Sequence, residues 1–555
     1  MLDVRDVPAT GHGRHRRLGP LEPEWWLSRA GAPALALAAA LAAVAFGVRA
    51  TGLSSSFELF SDEMLYADLG SSLSRGEMPQ LADGPFFLHP PGFFLIEAAV
   101  IRLFGLDTGD SMSLVYDLRW LTAVLGAISV GLTFLLLRRV AGPWPAVWGA
   151  LVLAFEPFVL RNNSRVFLES AGGVAVLAGL LVLVHELPGN HERVRYNGTI
   201  RERWPGLPGR RLFVAGLLLG YGVFIKDVFA FWAVVPVLLA VLWRGTLRRR
   251  AAVPVLLGTA TPYSLYLVVL WATGYLGDWT RAKTLGVLRL VGVQQSTGFN
   301  APEAPSLLGR LIDHLTQYGV SYVLLALCPL AGVLASFSRR PDRRLIGLCA
   351  VVMGGLGVYL ALFGTFEEHF GYAVMLASVA ALAVCSAEFV ERRWLPNRLV
   401  VTLTAGFLAV TAVLGIGLET TSDDGFRQFR AWAATNLPAS ARVGVTSGTA
   451  EWAFENDPRF GTWPTAALLE LNHAQYVLTE SLPIREGYVS ARPALLDWLT
   501  RNATPVFRER GATNGETVLW FIEAPALEQA AAQDVGGPAP EGGLDIVPNE
   551  PHGGR

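Results

Sequence analysis

The chain has 555 residues, 52% of them hydrophobic and 16% charged, with 45 Lys and Arg set against 46 Asp and Glu. So apolar a composition excludes an ordinary soluble enzyme and marks a polytopic membrane protein in contact with the lipid bilayer. A near-neutral charge sorted into alternate loops excludes a nucleic-acid surface, and three cysteines that all fall in apolar runs (Cys328, Cys349, Cys385) exclude a disulfide framework or a cysteine-metal site.

The first apolar run, from about Gly31 to Val48, follows Arg14, Arg16 and Arg17 and is longer than a signal-peptide core. It is expected to stay as a first helix behind a cytoplasmic segment of residues 1–30. Ser61-Asp62-Glu63-Met64-Leu65-Tyr66 comes next, then His89-Pro90-Pro91. The stretch from Pro91 to Gly105 is short and carries Glu97 and Arg102, so it is read as a juxtamembrane or re-entrant helix on the outer face. Further spanning runs begin near residues 118, 143, 170, 251, 318, 345, 370 and 399. The run from Leu212 to Trp243 has arginines on both flanks and Lys226-Asp227 in its middle, which fits two short helices meeting at an outer turn. The expected total is about eleven crossings. Arginine clusters at 138–139, 193–211, 244–250, 339–344 and 392–398 then fall on alternate, cytoplasmic loops, and the C-terminus is placed outside.

Between Gly274 and Gln317 the segment Trp279 to Val293 mixes Trp279, Leu285, Leu288 and Val291 with Arg281, Lys283 and Arg289, a pattern of an interfacial helix. The loop as a whole is read as a mobile cover over the lipid-facing entrance to the site, with a passive interfacial helix as the alternative. Residues 31–419 form the transmembrane domain on this reading, and 420–523 a small extracytoplasmic α/β domain. The latter has strand-like stretches at Arg442 to Ser447, Gln475 to Glu480 and Val518 to Ile522, and Phe426, Phe429, Trp432 and Ala433 at helical spacing. Residues 524–555, rich in Ala, Gly, Pro and acids, read as a disordered tail.

With this topology Asp62, Glu63, Tyr66, His89, Arg165, Glu169 and Lys226 share one face of the membrane. Lysine occurs only at 226 and 283 in a chain that otherwise uses arginine for its cations, so a lysine at a broken-helix turn points to a charge aimed at a phosphate. Carboxylates at a bilayer surface with cations nearby suit attack by an acceptor hydroxyl on a sugar joined to a lipid through phosphate: the carboxylate takes the proton and the cations neutralise the departing phosphate. One-step displacement inverts the anomeric centre. Each residue has a plainer reading: Asp62 as a helix cap, Glu63 as a first-turn acid, Arg161 and Arg165 as interfacial anchors, Glu169 as an i,i+4 partner of Arg165, and Lys226 with Asp227 as mutual neutralisation. Their gathering on one face favours chemistry. The other class of function is a transporter or flippase of polyprenyl-linked glycans, which would place polar groups at the bilayer midplane.

In order and placement, Asp62-Glu63 with Tyr66, His89-Pro90-Pro91, Arg165 to Glu169 and Lys226 resemble the superfamily of membrane glycosyltransferases that use polyprenyl-phosphate sugars, including protein O-mannosyltransferases and lipid A aminoarabinose transferases. The resemblance spans roughly the first half of the chain. It implies the mainly α, polytopic GT-C fold, with Asp62 as catalytic base beside Glu63, and Lys226, Arg165 and His89 at the donor phosphate. Glu169, Tyr66 and His369 are assigned to ordering the site. His89 stands where the aminoarabinose transferases have lysine, and Glu169 where aspartate is usual, so neither subfamily is assigned. The implied partners are a polyprenyl-phosphate sugar donor and an acceptor hydroxyl on a glycan, lipid or protein, at the plasma membrane. No cofactor is specified, and a divalent metal is left open.

Overall fold

The computed structural model describes residues 31–81, 84–107, 109–187, 193–196, 199–202, 209–293, 307–365, 369–487 and 489–537. The expectations for residues 1–30, for most of the loop after Val293 and for the end of the chain past Gly537 lie outside the described residues.

Among the described residues, eight helices are long and apolar enough to cross a membrane. These are α1 (Ala32–Gly52), α4 (Ser111–Val140), α7 (Leu168–Glu186), α11 (Arg249–Thr273), α14 (Leu315–Ser336), α15 (Pro341–Leu362), α16 (Phe370–Glu391) and α17 (Asn397–Thr420). A ninth is formed if α5 (Pro143–Phe155) and α6 (Pro157–Asn163), bent by 62°, are one span. The count of eleven is not reached on length. The Leu212 to Trp243 run divides into α8 (Gly209–Ile225), a 3-10 turn (Asp227–Phe229), α9 (Ala230–Ala233) and α10 (Val235–Leu242). Each half is shorter than a full span, because Lys226 adopts an extended backbone and interrupts the helix. The shorter elements are α2 (Ser61–Ser74), α3 (Gly92–Phe104), α12 (Leu276–Leu290) and α13 (Leu307–Asp313). At 13 residues, α3 is too short to cross.

Close approach of α8 and α11 depends on small residues. A Cβ added at Gly216 or Gly220 would strike the carbonyls of Val255 or Thr259, and one at Gly258 would strike the carbonyl of Phe213. Backbones meeting at glycine faces maximise packing where lipid supplies no hydrophobic drive.

The charged loops sort to the two ends of the bundle. At one end Arg139, Arg340, Asp342 and Arg343 interlock with Glu388 and Glu391, while Arg139 donates to the Leu187 carbonyl and Arg344 to Thr246. Those residues lie at or just past the C-terminal ends of α4, α7, α10, α14 and α16, so these helix ends share one end of the bundle. Asp62, His89, Arg165, Lys226 and His369 lie near the opposite helix ends.

Two-residue strands β1 (Gln80–Leu81) and β2 (Gly84–Pro85) make a hairpin before His89, and β3 (Arg193–Tyr196) pairs with β4 (Thr199–Glu202). After α17 and α18 (Gly425–Asn436) comes a five-stranded sheet of β5 (Val443–Val445), β6 (Phe460–Thr462), β7 (Tyr476–Glu480), β8 (Thr504–Gly511) and β9 (Gly515–Phe521), in the order β6-β5-β7-β9-β8. The first three are parallel, and β9 and β8 join antiparallel. The tail reading is corrected over its first residues: Ala524–Ala532 form a helix with Leu527 and Ala530 buried, since Pro525 near its start and an alanine-rich run favour helix. One apolar cluster runs from Met64, Leu65 and Tyr66 through Phe426 and Phe429 to Val443, Leu478 and Leu519, so the small domain shares its core with α2.

Candidate active site

Helix α2 begins at Ser61 with Phe60 in the cap position and no side-chain cap, which removes the plain reading of Asp62 as the cap. Asp62 instead lies in the first turn, partly exposed, where the helix dipole favours negative charge. Glu63 turns inward. It is fully buried against Arg119 of α4, which grips both carboxylate oxygens at 2.9 and 2.7 Å, and its Oε1 accepts from the Val166 amide at 2.9 Å. Arg119 also donates to the carbonyls of Leu53, Phe57 and Glu58. Adjacent residues on a helix point apart, so the acid pair divides into one buried anchor and one accessible carboxylate.

One turn on, Tyr66 shares a face with Asp62. Its hydroxyl lies 3.3 Å from Nε2 of His89, and the rings meet edge to face at 5.8 Å. Burial, and after it the charges of Lys226, Lys283, His369 and Arg289, hold the His89 imidazole well below its ordinary range and therefore neutral. Groups from three separate parts of the chain thus act on one ring.

Lys226 is ion-paired with Glu169, in the first turn of α7, and stands 5.5 Å from the Phe370 ring centroid. Its neighbour Asp227 accepts from the Tyr263 hydroxyl at 2.7 Å and pairs with Lys283 of α12 at 2.5 Å. Lys283 also donates to the Leu88 carbonyl at 2.7 Å, one residue before His89. Burial outweighs the attraction of Asp227 and pulls its ammonium below the ordinary lysine range. Both lysines of the chain therefore reach the same place, each balanced by a carboxylate. His369 caps α16, packed edge to face on Phe370.

Arg165 is fully buried: its guanidinium lies over Phe57 and Phe60, at 5.9 and 5.6 Å from the ring centroids, and donates to Thr513 of the small domain at 3.0 Å. Arg161 lies against Tyr318. The sequence reading treated Lys283 and Arg289 only as part of an interfacial helix and did not find Arg119. The rarity of lysine was the available signal for Lys283; nothing local marks Arg119, whose partner is 56 residues away. Among the described residues no three His, Cys, Asp or Glu side chains converge as a metal site. A separate polar cavity of about 390 Å³ lies where the later turns of α2 meet the small domain, lined by Asp68, Ser71, Arg75, Asp107 and Glu455.

No family model and no curated relative matches the sequence. Among solved structures the chain is similar to the oligosaccharyltransferase of Archaeoglobus fulgidus in complex with zinc and sulfate, with a TM-score of 0.52 and 13% identity over 87% of this chain and 72% of that one. It is similar also to apo ArnT from Cupriavidus metallidurans, with a TM-score of 0.50 and 13% identity over 88% of this chain and 98% of that one. The Pmt1-Pmt2 complex of S. cerevisiae, bound to its sugar donor, aligns over 44% of the chain at a TM-score of 0.34, too little to bear on the fold. At such identities the likeness is one of architecture: this is a multi-pass membrane protein with the GT-C fold.

Proposed function

We propose that the chain is a membrane glycosyltransferase that moves a sugar from a polyprenyl-phosphate donor to an acceptor hydroxyl, with inversion, on the outer face of the plasma membrane. The observation that carries the reading is the meeting of the two lysines with His89: Lys283 ties Asp227, the neighbour of Lys226, to the Leu88 carbonyl beside His89, and His89 meets Tyr66, one helical turn from Asp62. Lysines buried in a membrane protein are costly unless an anion meets them; Glu169 and Asp227 do so here, and a lipid phosphate would supply the anion when the donor binds. The shared fold with two polytopic proteins, one of them an oligosaccharyltransferase, supports it.

The acceptor oxygen attacks the anomeric carbon as its proton passes to the Asp62 carboxylate. The bond from that carbon to the phosphate oxygen breaks, and its electron pair leaves on polyprenyl phosphate. Lys226 and Lys283 meet the new charge by loosening their pairs with Glu169 and Asp227, so the site stays balanced with and without donor. Neutral His89, held by Tyr66, lines the phosphate without adding charge, and His369 orders the far side. Glu63 acts through position, not proton transfer. A divalent metal has no converging donor set among the described residues, and the steps use the chain's own groups.

The test is incubation of purified protein, in nanodiscs, with polyprenyl-phosphate sugars labelled in the sugar. The expected result is labelled acceptor together with released polyprenyl phosphate for one donor class. Failure to bind or consume any such donor, with ion-coupled movement of intact lipid-linked glycan instead, would favour the flippase reading.

A further inference from the structure

The loop that delivers Asp62 is held from two sides. Beneath it, Arg119 takes the carbonyls of Leu53, Phe57 and Glu58. Above it, the end of α17 and the start of the small domain hold it too: the Asp423 amide donates to the Ser55 carbonyl at 2.6 Å, and Arg427 donates to the Ser54 carbonyl at 2.6 Å. The Phe426 amide donates to Glu58 Oε2 at 3.0 Å, and the Ser56 hydroxyl donates to the Glu419 carbonyl at 2.5 Å.

Asp423 is the hub of this junction. Its Oδ1 accepts from the Thr513 amide at 3.0 Å and its Oδ2 from the Thr513 hydroxyl at 2.6 Å, while the Glu58 amide reaches Oδ2 at 3.4 Å. Thr513 sits in the turn between β8 and β9. Its hydroxyl in turn accepts from Arg165, whose guanidinium covers Phe60, and Phe60 packs edge to face on Phe167 at 6.0 Å. Phe60 holds the N-cap position of α2, two before Asp62. Asp423 and Arg165 are buried. A Cβ at Gly511 would collide with the Asp423 carboxylate, so the turn is fitted to this contact.

We propose that the small C-terminal domain positions the general base: Asp423 and Thr513 are positioning residues that act through Arg165 and Phe60 to fix the first turn of α2. The inference rests on the reading of Asp62 as the base. A few tenths of an ångström at a reacting group carry large rate effects, and a loop with no helix or strand of its own needs such external support to be rigid. The domain so placed contributes to turnover, whatever it does for the acceptor.

The experiment uses the full chain in nanodiscs, with Thr513→Val, Asp423→Asn and the conservative Thr513→Ser. Thr513→Val and Asp423→Asn are expected to raise hydrogen exchange about tenfold or more at amides 54–66 and 165–169, with the bundle helices unchanged. They should lower kcat about tenfold or more while acceptor KM stays within about twofold, and Thr513→Ser should restore both readouts because it keeps the hydroxyl and the amide. Unchanged exchange in those segments would overturn the proposal, as would an acceptor KM that rises at constant kcat or a serine variant no better than valine. If Asp423→Asn fails to fold, the two Thr513 variants decide. If no donor is turned over by the parent protein, the functional reading fails while the exchange comparison still decides the clamp.

Discussion

Two adjacent acids, Asp62 and Glu63, have opposite surroundings here, one partly exposed and one buried, and the difference is testable. Glu63 balances a fully buried Arg119, so Glu63→Gln leaves an unpaired interior cation, a loss of about 3–5 kcal/mol. The expected result is a large drop in melting temperature and yield; a variant that melts with the parent would refute the anchor role. Lys283 is partly exposed and is expected to bear mainly on the donor: Lys283→Gln should raise the apparent donor KM about tenfold, roughly 1.4 kcal/mol, with little change in melting. An unaltered KM would remove it from the phosphate. Glu58 adds a pH signature. Burial first, and Asp423 beside it, push its carboxyl up to about 8, against the pull of the Leu59 and Phe426 amides and Arg119. A folded value above the unfolded one means that the native state holds the proton more tightly. The stability it contributes is therefore full below the ordinary glutamate range, near pH 4.3, and is lost as the pH rises to about 8. Melting curves across that window should slope more steeply downward for the parent than for Glu58→Gln; parallel slopes would contradict it.

At the scale of elements, what the sequence made legible was whatever acts along a short stretch. The break at Lys226 could be read because a lysine and an aspartate interrupt an apolar run, and the helix at Gly425–Asn436 because its aromatics fall at helical spacing. Strands β5, β7 and β9 carry continuous buried residues and were found within a few positions. β6, of three half-buried residues, and β8, an edge strand with Pro505 and alternating arginines, lack that pattern and were missed. Pairings across 56 residues, Glu63 with Arg119 and Asp227 with Lys283, leave no local trace. The bond of Arg165 to Thr513, 348 residues away, is equally silent in the sequence. Helix α12 has no fully buried residue, yet Lys283 ties it to Leu88 and Asp227. An element held chiefly by those bonds should exchange faster in Lys283→Gln than in the parent, and equal exchange across Leu276–Leu290 would leave α12 a passive interfacial helix.

For the whole molecule, the two ends of the bundle carry different chemistry: interlocked arginines and acids at one, the lysine-histidine site and the small domain at the other. The positive-inside rule assigns the arginine end to the cytoplasm. A reporter fused after Thr420 and cysteine labels near Asp62 and Asn163 should then be reached from outside, and a label near Arg340 only after permeabilisation. A cytoplasmic label near Asn163 would make α3 a true crossing and scatter the site. On the proposed function, Asp62 accepts a proton during sugar transfer. The most direct measurement is single-turnover transfer by Asp62→Asn alongside its binding of the same polyprenyl-phosphate donor. The account predicts unchanged donor binding with transfer reduced about 100-fold or more; transfer within a few-fold of the parent at equal donor occupancy would contradict it.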